Sequence, residues 1–189
     1  MTHSSFKQLL DSLKAVGVSP PPGKTYLDLT SDSFNLALPI LMEHLEKQIP
    51  DGIREYILQH LSTPKARSCR PQLVKIYKSP NRYSLHLNFR LATAIAATSR
   101  KADIQENIEL ASDPSLGESR IGLLSHLARS RQPMALKALH DLQGDPDLAR
   151  EIAAILERKE RANDRFTHGS ICRQADFSTQ STPTSSAGG

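Results

Sequence analysis

Apolar residues recur three or four positions apart through most of this chain, which is the spacing of one face of an α-helix. In the first segment Phe6, Leu9, Leu10 and Leu13 follow this spacing, and Gly17 comes shortly after them. Glycine readily adopts the left-handed conformation that ends many helices. The pattern therefore predicts an amphipathic N-terminal helix that ends near Gly17.

Eight further helices are predicted after this one, each about 10 to 15 residues long and separated by Pro, Gly, Asp or Ser. They span residues 34–48, 51–62, 70–78, 83–99, 101–112, 118–130, 133–143 and 146–160. Runs of β-branched residues are scarce, and the Ala- and Leu-rich segments favour helix by propensity as well as by period. The sequence therefore predicts an all-α protein.

The two ends of the chain lack this helical pattern. Residues 1–33 are predicted to hold the N-terminal capping helix and then a Pro-rich connector, because three consecutive prolines cannot continue a helix. Residues 161–189 are rich in Ser, Thr and Gly and bury too little apolar surface to fold, so we expect a disordered C-terminal tail. The helical domain is accordingly assigned to residues 34–160.

A repeat becomes visible when four of the helices are aligned on an arginine. An apolar stripe follows each arginine, as Ile57, Leu58 and Leu61 follow the first. A hairpin of this length cannot bury its own apolar face, so stacked neighbours must supply the core. The period predicts a short right-handed α-solenoid of about four antiparallel helical hairpins. The aligned residues, separated by 36, 30 and 30 positions, are Arg54, Arg90, Arg120 and Arg150.

Two of the hairpins resemble HEAT repeats. In "LPILMEHLEKQIPDGIREYILQHL" and "PMALKALHDLQGDPDLAREIAAIL" a helix, an Asp/Pro-rich turn, a hydrophobic-Arg pair and a second apolar helix follow one another. The middle copies depart from the pattern, since the turn before Arg90 has no Asp. The resemblance covers about residues 34–160 and implies an α-solenoid that usually serves as a protein-binding scaffold, with rarer members that bind nucleic acid or act on it. The matching positions are Asp51, Ile53 and Arg54, then Asp145, Pro146, Ala149 and Arg150.

Stacked repeats place equivalent residues in a ladder. The four aligned arginines are therefore predicted to be structural, with each guanidinium bridging to an Asp or to a helix end of the next repeat. The alternative is that they bind a ligand.

Positive charge is concentrated in the centre of the chain. The whole chain has a net charge of +4, whereas the segment from Arg54 to Lys101 holds ten Lys or Arg and one acidic residue, Glu55, for a net charge of +9. A solenoid would place the loops between its hairpins on shared edges. One edge receives Lys65, Arg67, Arg70, Arg100, Lys101, Arg129 and Arg131. The opposite edge receives Asp51, Asp113, Glu118, Asp145 and Asp147, with Lys78 and Arg82 as exceptions.

This charge pattern has two explanations. Cations near helix C-termini and anions near helix N-termini complement the helix dipole, at about 0.3 to 1 kcal/mol for each charge, and would produce opposed charged edges without a ligand. Alternatively, the basic edge attracts an acidic protein segment or a phosphate backbone. The candidate partner-binding residues are Lys65, Arg67, Arg70, Lys75, Lys78, Arg100 and Lys101.

Residues suited to catalysis or to cofactor binding are not clustered. The helical histidines form no metal-binding motif, and the chain has no Gly-rich phosphate loop and no nucleophile elbow. We therefore expect no catalytic residue, no metal site and no cofactor, and give these histidines packing or surface roles. They are His44, His60, His86, His126 and His140.

Cys69 is the one candidate nucleophile. It lies at the start of a helix beside Arg67 and Arg70, a setting that can lower the pKa of a thiol. No motif supplies a partner base for it. The cysteine alone therefore does not predict an enzyme.

The sequence as a whole predicts a non-enzymatic protein–protein interaction module, of an adaptor, regulatory or immunity type, whose basic edge binds a partner with an acidic surface or segment. The alternative is a nucleic-acid-binding HEAT-like protein and, below it, a relative of the HEAT-like DNA glycosylases. Those enzymes use aromatic residues and a carboxylate on a basic concave face. This chain has no Trp, and its basic segment has only Glu55 as an acid.

The surroundings of the protein can also be predicted. No apolar run approaches the roughly 20 residues that a bilayer helix needs, so no membrane contact is expected. The N-terminal segment lacks the features of a secretory signal, and the two cysteines of the chain fit a reducing compartment. We therefore expect a cytoplasmic protein and leave its oligomeric state open.

Overall fold

A computed structural model of the protein describes residues 2–20, 31–79 and 83–161. Every regular element in these residues is helical, so the prediction of an all-α protein is confirmed. Most of the Pro-rich connector, together with Arg82 and residues 162–189 of the predicted tail, lies outside the described residues.

Nine α-helices follow one another in the described ranges. The helices predicted at 101–112 and 118–130 begin three residues later as α-helix, because their first turns are 3₁₀ helix. Three 3₁₀ helices are present, at Pro64–Cys69, Lys101–Asp103 and Pro114–Arg120. The α-helices are α1 (Thr2–Ala15), α2 (Ser31–Glu46), α3 (Asp51–Leu61), α4 (Arg70–Tyr77), α5 (Leu85–Thr98), α6 (Ile104–Ser112), α7 (Ile121–Arg129), α8 (Pro133–Asp141) and α9 (149–161).

Helix α1 ends in the left-handed turn that the sequence predicts. Gly17 has a φ of +81°. Its N–H donates to the carbonyl of Lys14 at 3.0 Å, and the N–H of Val18 donates to the carbonyl of Leu13 at 2.9 Å. These two bonds form a Schellman motif. Because Val18 and Leu13 are both buried, the turn also returns an apolar side chain to the core.

The odd-numbered helices α3, α5 and α7 pack side by side, and α5 against α7 is the most extensive contact between helices. Helix α4 packs on α5, and α6 and α8 pack on α7, while the even-numbered helices contact one another far less. Gly122 permits the close approach of α5 and α7, because a Cβ at this position would lie 2.8 Å from both Ala92 Cβ and Thr93 N.

One hydrophobic core runs through these helices. Its side chains come from the apolar stripes that the periodicity predicts, such as Ile57, Leu58 and Leu61 on α3, none of which is exposed. Full burial of such a side chain contributes roughly 1.5 to 3 kcal/mol. The stripes therefore supply the main driving force for packing the hairpins together.

The four aligned arginines lie in different environments. Arg120 is 1% exposed, whereas Arg150 is exposed and forms no ion pair within the described residues. Arg90 is exposed and bonds to Glu55 at 3.0 Å. Arg54 is largely covered, with 12% of its side chain exposed. Their regular spacing in the sequence therefore does not give them one shared set of contacts.

Every N–H donor of the Arg120 guanidinium has an acceptor. Nε donates to Gly117 O at 2.8 Å, and Nη1 donates to Ala111 O at 3.1 Å. Asp145 accepts two bonds, at 2.7 and 3.1 Å, and Asp147 accepts one at 3.0 Å. The side chain thus joins the start of α7 to the end of α6 and to the turn before α9. Its hydrogen bonds hold the pKa of Asp145 below the usual range.

Arg54 joins α2 to α3 through its hydrogen bonds. Its guanidinium donates to Asp51 at 3.1 Å and to the carbonyl of Lys47 at 3.1 Å. It also lies 4.8 Å from the ring centroid of Tyr83, whose hydroxyl donates to Leu45 O at 2.9 Å. The first turn of α3 is thereby tied to the last turn of α2.

Replacing Arg120 with Met is expected to lower the free energy of unfolding by roughly 2 to 4 kcal/mol. This is less than the 3 to 5 kcal/mol of a fully buried pair, because the Asp147 carboxylate is 43% exposed and can rehydrate. Urea denaturation measures the change. The matched control, Arg150→Met, should stay within about 0.5 kcal/mol of the wild type. Equal losses in the two variants would contradict this account of Arg120.

Candidate functional site

Three loops meet on one edge of the helical array. They are residues 62–69 after α3, 99–103 after α5 and 130–132 after α7. Arg70, which opens α4, donates from Nε to Ser99 Oγ at 3.1 Å. The Gln132 side chain donates to the carbonyl of Lys101 at 2.9 Å. The loops therefore lie next to one another in chain order. We call the exposed cations of these loops, together with Arg129 at the end of α7, the basic edge: Lys65, Arg67, Arg100, Lys101, Arg129 and Arg131.

The cations of the basic edge have no acidic partner in the described part of the chain. Several exposed cations elsewhere do have an acidic partner. Lys47, Lys137 and Arg161 each pair with a carboxylate one helical turn away, at 2.6 to 2.7 Å. Unpaired charges on adjacent loops add their fields. The basic edge is therefore a region of positive potential that its own carboxylates do not neutralise.

Helix dipoles act on this charge in both directions. Arg129 lies in the last turn of α7, and Arg100 and Arg131 lie two residues past the ends of α5 and α7, where a cation complements a helix C-terminus. Lys101 and Arg131 also lie two or three residues before the starts of α6 and α8, where a cation opposes the dipole. Each loop joins the C-terminus of one helix to the N-terminus of the next, so the two dipole effects oppose each other along the edge.

Arg70 does not belong to the exposed surface, which corrects its place among the candidate partner-binding residues. Only 7% of it is exposed. Nη1 bonds to the carboxylate of Glu106, and Nη2 donates to Asn107 Oδ1 at 2.9 Å. Nε, besides its bond to Ser99, lies 3.8 Å from the carboxylate of Asp103. The charge is used inside the protein, where it joins the start of α4 to α6.

Lys75 and Lys78 are exposed, but they lie away from the basic edge. Helix α4 starts at that edge with Arg70, and at 1.5 Å per residue it carries Lys78 about 12 Å further along. The neighbouring Tyr77 hydroxyl lies 2.8 Å from Ser119 Oγ, in the turn before α7. The structure therefore separates these two lysines from the other candidate residues.

Aspartates on the opposite edge make local contacts. Asp51 bonds to Arg54, the carboxylate of Asp113 accepts the N–H of Ser115 at 3.0 Å, and two more surround Arg120. Much of the negative charge on that edge is therefore committed to internal bonds. The two edges differ, because no described carboxylate pairs with a cation of the basic edge.

A concavity of about 630 Å³ lies within the basic edge. Pockets of about 300 to 1,000 Å³ are typical of small-molecule sites. Three cations and a histidine contribute to its walls, and none of the described lining residues is a carboxylate. We call it the cationic concavity. Its lining residues are Lys101, His126, Arg129, Ser130, Arg131, Gln132 and Pro133.

Local structure fixes the rim of the cationic concavity. The carboxylate of Asp103 accepts the N–H of Arg100 at 2.5 Å, which holds the 3₁₀ turn that starts at Lys101. Ser130 Oγ accepts the N–H of Gln132 at 3.2 Å, just before α8 begins. The cationic side chains thus project from backbone that hydrogen bonds hold in place.

His126 forms the buried side of the cationic concavity and is 8% exposed. Its Nδ1 lies 2.6 Å from the amide nitrogen of Asn107, which can donate to it when the ring is neutral. That nitrogen also donates to Ser99 Oγ at 2.8 Å. Burial, together with the charges of Arg129 and Arg70, lowers the pKa of His126. The neutral imidazole is therefore the form that suits this network.

Sequence reasoning missed Asn107, which is fully buried. The available signal was its position on α6, three residues after Ile104 and three before Leu110, because a polar residue inside an apolar stripe must find partners. His126 was given only a packing or surface role. Its actual partners come from α6, outside its own segment.

The pKa of the Cys69 thiol is shifted in the opposite direction from the one that its sequence setting suggests. The thiol is buried and free, and burial raises its pKa, although a hydrogen bond with Ser68 acts in the other direction. A raised pKa disfavours the thiolate, which is the nucleophilic form. Among the described residues, moreover, no group of three His, Cys, Asp or Glu could hold a metal ion.

Comparison of the chain with protein-family models, with curated proteins and with solved structures finds no match. Within the described ranges, no helix has both the length and the apolar character needed to cross a membrane.

Acidification is expected to destabilise the protein through His126. Because its folded pKa is lowered, the unfolded state binds the additional proton, and stability is lost as the pH falls below about 6.5, the ordinary pKa of histidine. His44 and His60, whose pKa values burial also lowers, act with the same sign. Urea denaturation at pH 7.5 and pH 5.5 should therefore show a smaller loss in His126→Gln than in the wild type.

The control for this pH effect is His140→Gln, which changes an exposed histidine and should keep the full wild-type loss. Equal losses in the wild type and in His126→Gln would mean that His126 does not contribute to the pH dependence.

Proposed function

We propose that this chain is a non-enzymatic protein-binding module whose basic edge binds an acidic segment of another protein. The proposal depends on one observation: six exposed cations, five on three adjacent loops and Arg129 at the end of α7, have no acidic partner in the described residues. Cations this close together repel one another, and an acidic ligand relieves the repulsion. An adaptor, regulatory or immunity-type protein would use such a surface.

We further propose that the helices form a short right-handed α-solenoid of the HEAT type, with about four hairpins. Side-by-side packing of α3, α5 and α7, with α4, α6 and α8 behind them, supports this architecture. The spacing of 36, 30 and 30 residues between the aligned arginines supports it as well. The more closely packed odd-numbered helices would then lie on the inner side of the curve.

The groove along α5, α7 and α9 favours a protein over a nucleic acid as the partner. It has a volume of about 470 Å³, and its lining combines apolar residues such as Phe89 and Ile155 with charges of both signs. Glu151 bonds to Arg158 within it at 3.1 Å. A duplex or a single strand needs a continuous cationic track, with aromatic platforms for stacking in the single-stranded case.

Three of the four aromatic residues of the basic segment support the same choice. Tyr77 is buried, Tyr56 packs edge-on against Phe6 with ring centroids 5.5 Å apart, and Tyr83 lies under Arg54. These rings are already engaged inside the protein and do not offer free faces beside the edge cations.

Reversing three charges of the edge, Lys65→Glu, Arg67→Glu and Lys101→Glu, should weaken binding of a fluorescent Asp/Glu-rich peptide by about tenfold or more at low salt. The far-UV circular dichroism and the melting temperature should not change, because the three side chains are exposed and unpaired. Fluorescence anisotropy measures the affinity.

The matched control reverses three exposed cations away from the edge, Lys14, Lys75 and Lys78, and produces the same net charge. It should bind the peptide much more tightly than the edge variant. Equal weakening in both variants would contradict the edge as the binding surface. Tighter binding of single- or double-stranded DNA than of the peptide, retained near physiological salt, would make nucleic acid the partner instead.

A further inference from the structure

We infer that the cationic concavity binds a phosphate group carried by the acidic partner segment, such as a phosphorylated serine or threonine side chain. This inference rests on the proposed function. It adds a requirement that the proposed function does not contain, namely that the partner is recognised in its phosphorylated form.

The charge of the lining matches a phosphomonoester better than a carboxylate. Lys101, Arg129 and Arg131 line one concavity, and none of its described lining residues is acidic. A phosphorylated side chain carries about −1.5 to −2 at pH 7, whereas an aspartate or a glutamate carries −1. Only the former approaches the charge of three cations.

The geometry of the donors also favours phosphate. Two of the three cations are arginines, whose planar forks bind phosphate oxygens through paired N–H donors. Arg129 donates one N–H to Ala96 O at 3.3 Å, which holds its guanidinium at the rim. The side chains of Lys101 and Arg131 make no hydrogen bond or ion pair with the described residues. The site therefore combines one positioned fork with two cations that are free to close on a ligand.

The shape of the site favours a single anionic group over a polymer backbone. The three cations line a concavity of about 630 Å³, and the Gln132 side chain, which also lines it, donates to Lys101 O at 2.9 Å. The carboxylate of Asp103, two residues after Lys101, accepts the N–H of Arg100 and lies 3.8 Å from Arg70 Nε. A phosphate group would fill part of this space and leave room for the adjoining peptide.

The buried wall of the concavity is compatible with an anion. His126 is held by Asn107 in its neutral form and adds no charge. The groups that face this histidine are the cations Arg70 and Arg129, the carboxylate of Asp103 and the backbone of Arg100. Recognition of the phosphate therefore depends on the rim cations and does not require the histidine to titrate.

The test uses the full-length protein and a pool of Asp/Glu-rich peptides with one fixed central residue, made in phosphoserine, serine and glutamate forms. We expect the phosphoserine pool to bind about tenfold more tightly than the other two, which corresponds to about 1.4 kcal/mol. The double variant Arg129→Gln, Arg131→Gln should lose most of this preference, while its binding of the serine pool should weaken only as much as removal of two other edge cations weakens it.

The matched control is Lys65→Gln, Arg67→Gln, which removes two edge cations outside the concavity. It should weaken the binding of all three pools and keep the preference for phosphoserine. Equal affinity of the wild type for the three pools would overturn the phosphate inference and leave the proposed function standing. Failure of every pool to bind would overturn both.

Titration with inorganic phosphate and with free O-phosphoserine identifies the source of the phosphate group. The backbone amide NMR signals of residues 130–132 report binding. Signals that move with these small molecules while no peptide pool binds would assign the site to a free phosphomonoester, and so overturn the assignment to a partner protein.

Discussion

The buried guanidinium of Arg70 is the contact on which the arrangement of the basic edge depends. A buried charge costs several kcal/mol unless it is paired and hydrogen-bonded. Arg70 meets this condition only if α4, the loop after α5 and α6 take up their observed positions, because Ser99, Glu106 and Asn107 supply its partners. Asn107 also hydrogen-bonds to His126 and so connects α7 to the same network. Arg70 and Asn107 together thus join the start of α4 to α6 and α7.

The same contact explains why the surface cations stay unpaired. Asp103 and Glu106 are the carboxylates that follow closely after the basic loops, and both face the internal Arg70. On the opposite edge, the buried Arg120 binds the carboxylates of Asp145 and Asp147. Internal pairing therefore removes acids from both edges. A chain with a modest net charge of +4 is left with one strongly positive side.

The helices and their buried faces could be predicted because both depend on local spacing. The apolar stripes and the cap at Gly17 are properties of neighbouring residues, and no distant contact overrides them. The shared position of the basic loops was also predictable, because alternate connections between packed antiparallel helices must fall on one side. Lys75 and Lys78 were candidates because they belong to the same cation-rich segment, although the sequence already assigns Lys78 to the opposite edge.

The role of each arginine could not be predicted, because it depends on residues one hairpin away. Arg70 looks like another surface cation until the carboxylate of Glu106, 36 positions later, comes into contact with it. Arg120 and Arg150 occupy similar local patterns, yet two aspartates surround one of them and none pairs with the other. The cationic concavity is likewise a product of tertiary packing, since Lys101 and Arg131 belong to different hairpins.

The most direct test of the basic edge as a binding surface is a map of backbone amide NMR shifts during titration with an Asp/Glu-rich peptide. The account predicts that the largest shifts fall in residues 62–69, 99–103 and 130–132, with little change on the opposite edge. Shifts concentrated in residues 113–120 and 143–148, or along the groove between α5, α7 and α9, would contradict it.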